Sequence, residues 1–506
     1  MKKRFNCCYE KSFRQTIYLT RMKSLSRNQI FIAIAAVLFT FMLVANPFHV
    51  NPNAAKVLAV ATLMITLWLG EAMPMPVVAL LPLIFFPLMG ICKMDDAASP
   101  YANSVIFLFL GGFLIGLAVE KWMLHKRIAL SIVKLTGTNG NRIVLGFILA
   151  TGLLSMWLSN TATTMMMFPI AMSVIAILEH KHGEEKVKPV AVCLMLSLAY
   201  ASNLSIGTII ATPPNGSYVN FLAERYHYNF SFRDWMLLFT PLSLLLLLAL
   251  YFIMTRVIYP NKIKDDKETD ELIEHDLKQL GKLSHPEKRV LWVFCITAFL
   301  WITADIINSV QKMVKLDDTI IAMIGAVSLF VVPSKSDIPE TKHLLEWADT
   351  KKMAWGILLL FGGGLTLAKQ LEKAGLIQQL GNWIAGFAGN NVLLLVFTVT
   401  IISIFVSEIM SNIAQVIVFA PVVAGISDAM HISPLLLGIP MTLGASCAGM
   451  LPMGTPPNAI VFASHKLQLK DMVKTGFIMN IVSAVLITLF CYYLMPLIVP
   501  NVPLLK

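Results

Sequence analysis

A Ser-Asn pair followed 44 to 53 residues later by Thr-Pro-Pro-Asn occurs twice in this chain. The first copy is Ser159-Asn160-Thr161 with Thr212-Pro213-Pro214-Asn215; the second is Ser411-Asn412-Ile413 with Thr455-Pro456-Pro457-Asn458. Each Pro-Pro removes two amide donors and ends the helix before it, freeing carbonyl oxygens beside the hydroxyls of Thr212 and Thr455. Such hard oxygens suit an alkali or alkaline-earth cation. At each Ser-Asn pair a helix is expected to begin, and its free amides and positive dipole end favour an anion. Proline kinks with polar residues bonding helix to helix would explain one copy. Two copies at similar spacing point to one shared site for a small anion and its companion cations.

No Lys or Arg occurs between Arg142 and Lys181, between Lys188 and Arg225, or between Lys373 and Lys466. An anion bound at these breaks therefore relies on amides, hydroxyls and dipoles, and desolvating it is costly. Co-bound cations offset that cost, which makes cation-coupled symport the natural mechanism. Glu408, inside the apolar stretch of the second tip, either orients the tip, tunes cation affinity or is a structural carboxylate, protonated or hydrogen-bonded. Glu71 reads as an interfacial residue before Pro74. Asp305 lies near the end of its span and takes no role. His125 and His465, among lysines, read as solvated.

The elements that must hold these residues are membrane helices. The chain is 57% hydrophobic and 14% charged, well below the roughly 25% charge of soluble domains. The net charge of +11 lies in loops, not in a nucleic-acid-binding patch. Candidate spans are 29–46, 56–71, 76–91, 104–120, 189–206, 235–258, 289–308, 319–333, 354–369, 434–452 and 474–498. The interrupted stretches 142–178 and 391–425 read as re-entrant hairpins. This arrangement of eleven spans puts 31 of the 40 Lys and Arg residues on one side, giving a cytoplasmic N-terminus and an outside C-terminus. The organisation is a basic tail (1–28), a first span and outer loop (29–55), a first repeat (56–258), a charge-rich cytoplasmic linker that reads as solvated (259–288), a second repeat (289–498) and an outer tail (499–506). Five spans plus one hairpin per repeat is an odd count of spans, so the second copy is inverted. Leu110-Gly111-Gly112 and Phe361-Gly362-Gly363-Gly364 precede the two tips by 48 and 49 residues, counted from Gly111 and Gly362. Inverted repeats with broken helices at mid-membrane are typical of secondary transporters.

Cys7, Cys8, Cys92, Cys193, Cys295, Cys447 and Cys491 show no metal or disulfide spacing; Cys7-Cys8, in the basic tail, is a candidate for acylation. Met22 is an alternative start. Ile30–Ala45 resembles a signal peptide, but no small-residue cleavage site follows it. No nucleophile–base pair or metal motif suggests an enzyme.

With these residues in view, the chain resembles the divalent anion:sodium symporter family, especially its bacterial sodium-coupled dicarboxylate transporters, from about Leu58 to Pro496. Ser159-Asn160-Thr161-Ala162, Gly207-Thr208, both Thr-Pro-Pro-Asn breaks, Phe361-Gly362-Gly363-Gly364 and Met450 to Ile460 carry the resemblance. It implies an all-α polytopic homodimer of the bacterial inner membrane that imports succinate-, fumarate- or malate-like anions with sodium. It also implies an elevator mechanism in which both hairpins move with the fifth, sixth, tenth and eleventh spans. By the family's motifs, one sodium site uses Ser155, Ser159, Asn160 and the Ala211 carbonyl. The other uses Ser407, the Met410 carbonyl, Asn412 and the Gly454 carbonyl. Substrate carboxylates meet Ser159, Asn160, Thr161, Thr212 and Pro213 on one side, and Ser411, Asn412, Thr455 and Pro456 on the other, with Ile413 beside them. Three departures stand out: Ile413 replaces a Thr and removes one hydroxyl, Ala211 replaces a Gly, and Ser407 replaces a Thr. The rival readings are a sodium-independent dicarboxylate exchanger, a sulfate-type oxyanion symporter of the same fold, and a membrane sensor or channel.

Overall fold

The computed structural model describes residues 26–498 apart from 138, 262, 264–266, 312–313, 336–341 and 386–390. Cys7-Cys8, Met22 and the tail 499–506 lie outside the described residues, as does part of the linker. The elements are helices: α1 (Arg27–Ala45), α2 (Pro52–Leu69), α3 (Met75–Leu88), α4 (Ser104–Lys121), α5 (Leu124–Thr136), α6 (Gly140–Ser155), α7 (Asn160–His182), α8 (Glu184–Asn203), α9 (Pro213–Tyr226) and α10 (Phe232–Phe252). After them come α11 (Lys267–Gln279), α12 (His285–Val310), α13 (Asp318–Val331), α14 (Trp355–Lys373), α15 (Leu376–Ala385), α16 (Val392–Ser407), α17 (Asn412–Ala429), α18 (Pro434–Ala445), α19 (Pro456–Phe462) and α20 (Leu469–Leu489).

Eight helices among the described residues are long and apolar enough to cross a membrane. Six fall at predicted spans; the other two are α7 and α17, the second arms of the predicted hairpins. Two spans are shorter than the sequence suggests. The stretch 76–91 breaks at Ala79-Leu80, where Pro82 supplies no amide to continue the ladder. The stretch 434–452 stops at Ala445 because the amides of Gly449, Met450 and Leu451 turn to a side chain instead.

The duplication is visible in lengths and caps. α6 and α16 have 16 residues each and are capped by Asn139 and Asn391. α10 and α20 have 21 residues each and run into a wide π-type turn. Pro169 and Pro421 both follow the first residue of their helix by nine. The copies interlock: α19 packs on α7 and α8, while α9 packs on α17 and α18. α4 packs on α13, where a Cβ at Gly111 would come within 2.7 Å of Ala322. α14 packs reciprocally on α2 and α3.

Polar contacts gather at the two ends of the bundle. At one end, the stretch from Glu224 to Arg233 reaches five different helices, among them α17 through Arg225 and Asp428 (2.7 Å). Glu224 accepts from Asn103 at the start of α4, and Arg225 pairs with Glu372 on α14 (2.8 Å). The Phe232 amide donates to Asp318 (2.6 Å), and Arg233 pairs with Asp305 on α12 (3.1 Å). Asp305, given no role from sequence, thus closes an ion pair.

At the other end, Asn261 donates to Asn141 at the start of α6 (2.7 Å), and Lys466 pairs with Glu179 at the end of α7 (2.7 Å). The linker is also more than a solvated connection. α11 packs on α5 and α7, and Arg127 of α5 binds Glu287 (2.9 Å) and the carbonyls of Leu280 and Gly281. His125 is not solvated as its sequence setting suggests; it is buried, with Nδ1 3.1 Å from the Val119 carbonyl, and burial lowers its pKa.

Candidate functional site

Ser159 and Ser411 are the N-caps of α7 and α17, yet neither hydroxyl turns back to cap its helix. An N-cap serine normally takes an amide of its own first turn. Here both helices begin without that side-chain cap, and an uncapped helix N-terminus is an arrangement that suits an anion. Asn160 and Asn412 are the first residues of those helices, and Thr161 and Ile413 the second; all four are partly exposed. The Ile413 side chain packs against both major apolar clusters, so it fills with hydrocarbon the place where the first copy has the Thr161 hydroxyl.

The cation ligands expected from sequence differ in how satisfied they are. Ser155 Oγ and Asn160 Oδ1 are buried and have no partner. Buried oxygens are rarely left so, and two of them at one tip fit a hard cation. In the second copy the equivalent atoms are not orphaned: Ser407 Oγ lies 2.6 Å from Asn412 Oδ1, and its one proton is shared between that oxygen and the Ala445 carbonyl. Ala211 and Met410 are buried and Gly454 is too. Among the described residues no three His, Cys, Asp or Glu side chains gather as a transition-metal site.

Each tip touches the break of its own copy. In the first, Thr208 Oγ1 donates to the Met156 carbonyl, and Ser205 Oγ lies between the Gly152 carbonyl (2.8 Å) and the Ala201 carbonyl (2.6 Å). In the second, Glu408 takes the contact. Its carboxylate accepts from the amides of Gly449 (2.8 Å), Met450 (2.8 Å) and Leu451 (3.0 Å), and from Asn480 Nδ2 on α20 (2.7 Å). Of the roles open from sequence, the geometry is that of a structural, hydrogen-bonded carboxylate. It also accounts for one departure between the copies. A Cβ at Gly454 would sit 3.0 Å from Glu408 Oε2, whereas Ala211 answers to a copy with Met156 in place of Glu408.

The two breaks meet across the interface between copies. Asn203 Nδ2 donates to Thr455 Oγ1 (3.0 Å), and Ser446 Oγ to Thr212 Oγ1 (3.2 Å). Tips and breaks are thus linked in series: first tip, first break, second break, second tip. Pro213 is partly exposed and Pro456 exposed at the starts of α9 and α19. Sequence reasoning missed Asn203, Ser446 and Asn480. A signal for the first two existed, since each lies nine residues before the Thr of its own break.

An all-helical, multi-pass membrane protein with duplicated helix breaks around a polar centre belongs architecturally with secondary transporters. More particularly, the chain belongs to the sodium:sulfate symporter family, whose transmembrane-region model matches residues 25–499. It is 38% identical over 465 residues to the sodium-dependent dicarboxylate transporter SdcS of Staphylococcus saprophyticus, covering 90% of this chain and 89% of the relative. It is 36% identical over 452 residues to the SdcS of Staphylococcus aureus USA300, covering 87% and 86%.

Proposed function

We propose that the protein imports dicarboxylates of the succinate, fumarate or malate type by sodium symport across the bacterial plasma membrane. The observation that carries this reading is the pair of uncapped helix N-termini, at Ser159 and Ser411, in a centre whose breaks are cross-linked and lack local basic residues. The names of the two relatives support both the anion and the cation. Sodium is cargo here: the unpartnered oxygens of Ser155 and Asn160 favour a first site with the Ser159 hydroxyl and the Ala211 carbonyl. A second site would use Ser407, Asn412 and the carbonyls of Met410 and Gly454. One carboxylate would meet Ser159, Asn160, Thr161, Thr212 and Pro213, the other Ser411, Asn412, Thr455 and Pro456.

The same reading treats α6–α7 and α16–α17 as re-entrant hairpins that travel, elevator-fashion, with α8–α9, α10, α18–α19 and α20. The remaining helices form the framework of a homodimer, with repeats at 56–258 and 289–498. The N-terminus is cytoplasmic and the C-terminus outside, on the strength of the charge split.

Proteoliposomes with an inward sodium gradient should accumulate labelled succinate, and potassium should not replace sodium. Uptake that ignores sodium but requires internal succinate would establish an exchanger instead. A sulfate-type reading is favoured by one observation, the apolar Ile413 at one end of the site, and sulfate competition in the same assay separates the two. Ile413→Thr should restore a hydroxyl to the second tip. A hydrogen bond to a charged group is worth about 1.5 kcal/mol, so the KM for succinate should fall roughly tenfold. An unchanged KM and selectivity would place Ile413 outside the pocket.

A further inference from the structure

Asn203 ends α8 and Ser446 caps the end of α18, each at the point where its helix gives way to the break. Both side chains are almost fully buried, at 3% and 1% exposure. Neither bonds the threonine of its own break; each bonds the threonine of the other copy. Asn203 Nδ2 also reaches Asn458 Oδ1 (3.2 Å) and the Ala448 carbonyl (3.3 Å). An amide NH2 can only donate. Thr455 Oγ1 therefore receives a proton from Asn203 and keeps its own O–H for another acceptor. Ser446 donates to Thr212 in the same sense, so both threonine hydroxyls are left pointing a proton elsewhere.

We propose that Asn203 and Ser446 form a cross-brace of positioning residues that sets the separation of the Thr212 and Thr455 hydroxyls, and so the carbon-chain length of the dianion held between the two breaks. The inference rests on the dicarboxylate reading and adds to it a determinant of substrate length. The brace is lopsided, with a longer amide reaching towards the second break and a shorter hydroxyl towards the first. Exchanging one for the other changes the span without removing polarity. One methylene more or less in an apolar pocket is worth about 10- to 200-fold, which sets the scale on which such a change is seen.

The test compares succinate with glutarate, one methylene longer, in proteoliposomes of the wild type, Asn203→Ser and Ser446→Asn under an inward sodium gradient. Asn203→Ser is expected to shift the succinate-to-glutarate ratio of kcat/KM by about fivefold or more, with the half-saturating sodium concentration unchanged. A residue that only stabilised the fold would lower both rates together and leave the ratio alone. Ser446→Ala, which deletes a single hydroxyl, carries the comparison if the larger changes prevent folding. Wild-type ratios in every variant that folds overturn the brace. Wild-type vesicles that take up neither acid overturn the dicarboxylate reading, and the brace with it.

Discussion

Asn160→Ala and Asn412→Ala should each lower sodium-driven dicarboxylate uptake by about 100-fold while leaving a folded, extractable protein. Asn160 opens α7 with a buried amide oxygen that has no partner in the protein, so its truncation removes a ligand and breaks no internal bond. Losing one hydrogen bond or ion contact to a charged cargo takes away about 2–3 kcal/mol, roughly 30- to 150-fold. Asn412 adds a second effect, because its Oδ1 accepts the Ser407 hydroxyl at 2.6 Å. Its alanine variant also leaves that hydroxyl without this acceptor, so it should show the larger rise in half-saturating sodium. Uptake with a sodium titration, alongside gel filtration in detergent, checks both expectations. Normal transport by both variants would refute a site shared between the two tips.

Glu408→Ala is expected to destabilise the protein itself by about 3 kcal/mol or more. It strips the acceptor from three consecutive amides and from Asn480, and each buried donor left unsatisfied costs about 1–3 kcal/mol. α18 ends at Ala445 and α19 starts at Pro456, so the intervening chain has no helix of its own to fall back on. Glu408→Gln should be milder in stability, because one oxygen remains to accept. Its NH2 group, however, would face amide donors and displace the Gly449–Leu451 segment. Thermal unfolding in detergent separates the two variants, and an unaltered Tm for Glu408→Ala would show that the clamp contributes nothing.

Local chemistry made the tips and breaks legible: a double proline inside an apolar run announces itself, and so does a Ser-Asn pair at a helix start. Repeat spacing made the duplication legible as well. What escaped depended on neighbours distant along the chain. Glu408 is an odd carboxylate in sequence and becomes a clamp only when the chain brings Gly449 to Leu451 within 3.0 Å of it. Likewise His125 sits among lysines on a strongly amphipathic helix, and only packing turns it inward. The linker read as solvated because its many charges are visible in sequence, whereas the Arg127–Glu287 pairing that straps it down is not. Helix ends were misjudged where a side chain, as at Ala445, competes for the backbone.

The interlocking of the copies also governs how the molecule can be made. Gly111 meets Ala322, 211 residues further along the chain. At about 5–20 residues per second, a ribosome needs roughly 10–40 s to deliver that partner. Thr212 waits longer for Ser446, 234 residues on, and Asn203 for Thr455, 252 residues on, so a half-made chain holds open polar breaks in the bilayer with no second copy to close them.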